Sequence, residues 1–249
     1  MDDERLDPTE IEAFARVRDS ILERMATAAA RARRDPSEVT LVAVSKTVEA
    51  ARIRAAIVAG FTVLGENRVQ EGATKIPDLP GAAWHLLGPL QSNKARRAVE
   101  LFDVVQSLGS VDLAVRLDRI AGEVRPGRPL PVLLQVNVAG DPAKAGFDEF
   151  DVEAALPAIL DLPNLAVAGL MTIGRLVETA EEARPTFRAL RALAEDLRSR
   201  HTGLGAALSM GMTDDFEVAI EEGATHVRVG RAIFGARPAA AVPGITPLS

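Results

Sequence analysis

The chain has no cysteine, no tyrosine and a single tryptophan among its 249 residues. The missing cysteine excludes disulfides, thiolate metal sites and cysteine nucleophiles together, and it fits a reducing compartment. Aromatic residues amount to only 4%. A sugar-cleaving site, which wants aromatic platforms beside two opposed carboxylates, therefore has almost nothing to build from. No apolar run approaches the roughly 18 residues of a membrane span. The first ten residues, MDDERLDPTE, are acidic and lack the basic-then-apolar order of a secretory signal. The three histidines, His85, His201 and His226, lie far apart and match no ligand spacing, so a metal site is not expected. Neither a GxSxG elbow nor a Walker loop occurs. A net charge of -6 without a long basic tract speaks against a nucleic-acid partner. The short basic groups Arg31, Arg33, Arg34 and Lys94, Arg96, Arg97 read as solvated helix faces. The expected protein is cytoplasmic and, with no sticky face left over, monomeric.

What is present is aliphatic. Hydrophobic residues make up 47% of the chain, and with so few aromatics the core must be Ala, Val, Leu and Ile, which suits parallel strands buried under helices. The length is that of one TIM barrel, typically about 250 residues, so a single domain over residues 1–249 is expected. Ile11, Phe14, Val17, Ile21 and Met25 recur at helical spacing and predict a long amphipathic helix before the first strand. After it, apolar runs predict strands at 41–45, 62–65, 84–88, 103–108, 131–138, 167–173, 206–210 and 226–230. Helices are expected near 48–60, 67–76, 93–101, 111–123, 148–160, 179–200 and 213–223. Asp148 and Thr213 read as N-caps, and Gly60, Gly122 and Gly223 as stops. Pro157 and Pro185 should kink or shorten their helices. The Ala/Pro/Gly-rich tail from about Pro238 is expected to fray. Eight strands favour a closed (β/α)8 barrel over an open sheet.

A barrel's working residues stand at the carboxyl ends of its strands. Strand one runs into Lys46, and period-two alternation sets Val42, Val44 and Lys46 on one face. If that face is the interior, the ammonium crowns the barrel and becomes a usable nucleophile toward an aldehyde. Strand two runs into Glu66 and Asn67. The segments SMGMTDD (209–215) and VRVGRAIFG (227–235) each supply a glycine turn leading into a helix, after the two strands where barrels often keep a phosphate. Arg228 shares a strand face with His226 and Gly230. It points either to a ring nitrogen of a bound cofactor or to a strand-end carboxylate such as Glu66. His85 and His226 read as core, and His201 as complementing a helix dipole.

The segments AVSKT (43–47), GENRVQE (65–71), WHLLGPLQSNK (84–94), GLMTI (169–173), SMGMTDDFEVAI (209–220) and VRVGRAIFG (227–235) resemble, in order and spacing, the pyridoxal phosphate homeostasis protein family. The resemblance implies a barrel like the N-terminal domain of alanine racemase (fold type III) with pyridoxal 5'-phosphate as cofactor. It implies that Lys46 forms the Schiff base, Asn67 lies beside the cofactor, and Arg228 faces the pyridine nitrogen. Ser209 and backbone near Gly211, Gly230 and Arg231 would hold the phosphate. Three positions depart from the family's habit: Arg231 in place of a hydroxyl residue, Arg68 in place of an aromatic, and Val48 in place of a second lysine. Lys144 matches a family lysine in a loop and is a secondary candidate for transient cofactor contact. The implied role is cofactor storage with apo PLP-dependent enzymes as recipients. The rivals are an amino-acid racemase using Lys46 with His85 or a water as second base, and a cofactor-free sugar-phosphate enzyme.

Overall fold

The computed structural model describes residues 6–141, 145–174 and 177–235. Eight parallel strands, β1 (Thr40–Val44), β2 (Val63–Glu66), β3 (Ala83–Leu86), β4 (Val104–Leu108), β5 (Leu130–Gln135), β6 (Leu165–Met171), β7 (Ala207–Met212) and β8 (His226–Val229), close in sequence order. Closure is carried by β1, which pairs with β2 on one side and β8 on the other. The outer layer is α2 (Ala50–Val58), α3 (Val69–Lys75), α4 (Ala95–Leu101), α5 (Val111–Val124), α6 (Glu149–Leu160), α7 (Arg184–Arg200), α8 (Phe216–Glu221) and α9 (Arg231–Phe234), preceded by α1 (Pro8–Arg31). The strands are apolar on both faces because they are covered on both: Val42, Ala43, Leu64, Val105, Val132 and Leu170 are all fully buried.

Helix α1 starts where Asp7 accepts the N–H of Thr9 and Pro8 occupies the first turn. It buries Phe14, Ile21, Met25, Ala28 and Ala29 against α2 and α8. Asp148 caps α6 through the N–H of Asp151, as expected. Gly60 and Gly223 end their helices with positive φ. Other expectations fail for local reasons. Gly122 lies inside α5, which runs on to Val124 before Pro126. Pro157 leaves α6 unbroken, since its position is exposed and the carbonyl it frees, that of Glu153, is on the wet side. Pro185 does shorten its helix as expected: it sits in the first turn of α7, where the missing N–H costs nothing, so the helix begins there and only short 3-10 helix precedes it. Thr213 is not a cap: α8 starts at Phe216, and the side chain of Asp215 is spent on the N–H of Met212 at 2.6 Å. The tail from Pro238 lies outside the described residues. No described helix is long and apolar enough to cross a membrane.

One irregularity decides the layering of the site. Ser209 pairs with His226 and Met212 with Arg228, so the β7–β8 register shifts between them. The extra residue is absorbed at Gly211, where φ is +90° and a Cβ would lie 2.5 Å from that of Ala219.

Candidate functional site

A cavity of about 800 Å³ opens at the carboxyl end of the barrel, lined by Val44, Lys46, Thr47, Val48, Asn67, Gly88, Thr213, Arg228, Gly230 and Arg231 among others. Its position follows from the fold, because the loops after parallel strands all emerge at one end. Val44 and Lys46 face it while Ser45 between them is fully buried, so the alternation read from sequence continues past the end of β1. Asn67 reaches the cavity from the end of β2, and its carbonyl passes so close to Gly88 that a Cβ there would lie 2.2 Å from it. Only glycine lets those two loops cross.

Of the residues singled out in the sequence, Lys46, Asn67, Arg228, Gly230 and Arg231 share this cavity, and Ser209 and Gly211 do not reach it. The register shift is the reason. Ser209 sits at the level of His226, one layer below Arg228, and Gly211 is turned onto Ala219 and Phe216 of α8. The hydroxyl residue of this segment that does line the cavity is Thr213, whose Oγ1 accepts the N–H of Gly230 at 3.3 Å. Sequence reading missed it because a Thr before a helix looks like a cap. Arg231 pairs with Asp214 across the rim, both side chains mostly exposed. Val48 lines the cavity, whereas Arg68 is 76% exposed and paired with Glu71 at 3.8 Å. Lys144 lies outside the described residues.

Arg228 is buried below the cavity mouth. Its Nη1 donates to Ser209 Oγ at 2.6 Å and its Nη2 to the carbonyl of Thr172 at 2.8 Å. It is not paired with Glu66, whose partner is Lys75 at 2.9 Å. Burial lowers the guanidinium to about 10, opposed by the charge of Asp215, so it keeps its proton at neutral pH. The carboxyl of Asp215 is itself pushed up by burial, against its bond from Met212 N–H and the charge of Arg228.

The contacts below Arg228 have a forced direction. Arginine only donates, so the Ser209 hydroxyl must send its proton on, to Gln106 Oε1 at 2.6 Å. The Gln106 amide then presents its NH2 to His85 Nδ1 at 2.7 Å, and that nitrogen must be a bare acceptor. β4 and β7 are not neighbours in the barrel, so the chain crosses the lumen. Burial accordingly holds His85 neutral, lowering it to about 3, with His226 adding to the effect. His226, 5.9 Å from His85 between ring centres, is lowered to about 4 by burial and by Arg228.

A pH dependence follows. Unfolded His85 takes a proton near 6.5 and folded His85 only near 3. Between those values the unfolded chain holds more protons, so stability is full above 6.5 and falls as pH drops through that window. The expected loss from His85 is about 2 kcal/mol on going from neutral pH to pH 5. Urea unfolding should show His85→Gln, which keeps an acceptor for Gln106, losing less stability over that range than wild type; equal losses would contradict the assignment.

Among the described residues no group of three or more His, Asp or Glu is placed to hold a metal ion. The fold and an amine-bearing mouth define the class first: the sequence matches the family described as alanine racemase, N-terminal domain, over residues 18–238. The pyridoxal phosphate homeostasis protein of Pseudomonas aeruginosa is 47% identical over 221 residues, covering 86% of this chain and 91% of that protein. Its counterpart in Escherichia coli K12 is 40% identical over 231 residues, covering 90% and 95%. Among solved structures, PipY from Synechococcus elongatus PCC7942 with PLP bound has a TM-score of 0.76 at 47% identity, covering 86% of this chain and all of that one. This chain belongs to the pyridoxal phosphate homeostasis protein family.

Proposed function

We propose that the protein binds pyridoxal 5'-phosphate as a Schiff base on Lys46 and holds it for cofactor homeostasis without using it for turnover. The observation that carries this is the charge of the cavity. In a chain of net charge -6, the described residues of its lining include four cations, Lys46, Arg52, Arg228 and Arg231, against two carboxylates, Glu49 and Asp214. That surplus suits a small dianionic phosphate ester whose aldehyde reaches the lining lysine, Lys46. The bound form of a solved relative, PipY, and the names of the curated relatives support the choice of ester.

The residues present fit the group. Lys46 supplies the amine. Thr213 and the N–H groups at the start of α9, at Arg231 just after Gly230, would supply phosphate donors, since a helix offers no carbonyl to its first N–H groups; that of Gly230 rests on Thr213 Oγ1. Arg231 stands ready to leave Asp214 for a phosphate oxygen. Arg228 would meet the ring nitrogen as a donor, and Asn67 would lie beside the ring. Ser209 acts from below, by holding Arg228. When bound, the cofactor supplies an electron sink, and a donor-only arginine at its nitrogen weakens that sink by discouraging protonation there.

The same residues speak for storage over racemisation. No tyrosine exists in the chain to serve as second base. His85 does not line the cavity, its Nδ1 is engaged by Gln106, and it stays neutral down to about 3. Incubating the loaded protein with L-alanine in deuterated water should give no steady α-proton exchange and no D-alanine; sustained exchange with D-isomer would establish the racemase instead. A cytoplasmic monomer handing the cofactor to apo enzymes is the setting that fits.

The phosphate assignment predicts that Arg231→Ala weakens pyridoxal phosphate binding about tenfold at low ionic strength, the worth of one charge-assisted hydrogen bond. The deficit should shrink as salt rises, because both charges are exposed. Titration at two salt concentrations checks this, and an unchanged affinity at low salt would remove Arg231 from the phosphate site.

A further inference from the structure

The backbone at Lys46 is held from outside the barrel by side chains that the proposed function leaves unused. Thr47 has φ +63°, a left-handed conformation that a β-branched residue rarely adopts, so the turn carrying Lys46 persists only if its surroundings enforce it. The peptide group before Lys46 is gripped through its oxygen, the carbonyl of Ser45, which accepts from Lys75 Nζ at 3.1 Å. The peptide group after it is gripped through its N–H, that of Thr47, which donates to Glu71 Oε2 at 3.1 Å. Glu71 and Lys75 stand one turn apart on α3, 3.9 Å from each other. Both peptide planes flanking the Lys46 Cα are therefore pinned by one face of one helix.

Behind them lies Glu66, whose side chain is fully buried. Its Oε1 accepts from Lys75 Nζ at 2.9 Å and from Ser45 Oγ at 2.9 Å, while Oε2 is buried with no hydrogen-bond partner among the described residues. A carboxylate left half satisfied beside an ammonium that is 13% exposed is a poor device for stability, since desolvation offsets most of the attraction. Its use is geometric: it fixes where the Lys75 ammonium sits, and so where the Ser45 carbonyl points.

We propose that Glu71 and Lys75, backed by Glu66, are positioning residues for Lys46, a clamp that sets the direction of its Cα–Cβ bond and presents its amine to the cavity. The inference rests on Lys46 being the amine that captures pyridoxal phosphate. Two conservative pairs separate geometry from charge. Glu71→Gln keeps an acceptor for the Thr47 N–H, and Glu71→Leu removes it. Lys75→Arg keeps a donor for Ser45 and Glu66, and Lys75→Met removes it.

The test uses the full chain and two readouts. In the ligand-free protein, hydrogen exchange at the Thr47 amide should quicken in Glu71→Leu and stay near wild type in Glu71→Gln. On adding pyridoxal 5'-phosphate, the rate at which the visible Schiff-base band forms should fall about tenfold or more in Glu71→Leu and Lys75→Met, and stay within about threefold in the Gln and Arg variants, as misplacement of a reacting group requires. Lys75→Met strands Glu66 and can fail to fold; the Glu71 pair leaves the Glu66–Lys75 contact intact and decides the matter alone. Unchanged exchange and capture in Glu71→Leu, or equal losses in Glu71→Gln and Glu71→Leu, would overturn the clamp. A wild-type protein that captures no pyridoxal phosphate overturns the proposed function instead, and the exchange measurement still reports on the clamp.

Discussion

Lys46→Ala, incubated with pyridoxal 5'-phosphate and dialysed, is expected to show no visible Schiff-base band, where wild type retains one. The effect is all or none because a covalent bond is lost, and among the described residues no other lysine lines the cavity to replace it. Folding should be little affected, since Lys46 is partly exposed at a strand end. Residual affinity should persist, because the phosphate donors near Thr213, Gly230 and Arg231 stay in place. Wild-type retention in Lys46→Ala would move the site to another amine, and a sugar-phosphate enzyme on this fold would show no band in either protein.

Arg228→Met is expected to weaken retention of the cofactor by about 10- to 100-fold, the 1.5–3 kcal/mol of a hydrogen bond to a charged donor. Two effects on stability oppose each other. The carbonyl of Thr172 loses its buried donor, and a buried charge that needed desolvating disappears. The net change should therefore be smaller than the loss in binding, and urea unfolding run beside a cofactor titration separates the two. Arg228→Lys should not restore wild-type behaviour, because a point donor cannot serve Ser209, Thr172 and the cavity at once in the fixed fork that arginine provides. Full retention in Arg228→Met would deny the guanidinium any part in holding the ring.

The barrel was legible because each parallel strand, buried on both faces, leaves a short apolar run, and because Lys46, Asn67 and Arg228 follow or end such runs. Alternation carried as far as Val44 and Lys46. It says nothing of Ser209, whose role came from the resemblance: the shift at Gly211, which no local pattern announces, drops the hydroxyl one layer below Arg228. Thr213 was hidden by the same local ambiguity: a hydroxyl before a helix reads as a cap until Asp215 is seen to supply that turn's bonds. Glycine misled once in three, at Gly122, where a helix stop and a helix interior look alike without the packing of Asn164 against it. The grip of Lys75 on Ser45 spans 30 residues and left only a faint trace, the i,i+4 pairing of Glu71 with Lys75 on a short helix.

The most direct test is to load the wild-type protein with pyridoxal 5'-phosphate, reduce it with borohydride and map the labelled peptide. A stoichiometric phosphopyridoxyl group on Lys46 alone is the expected result. Label on Lys75, Lys94 or Lys144 in its place, or shared among them, would contradict it.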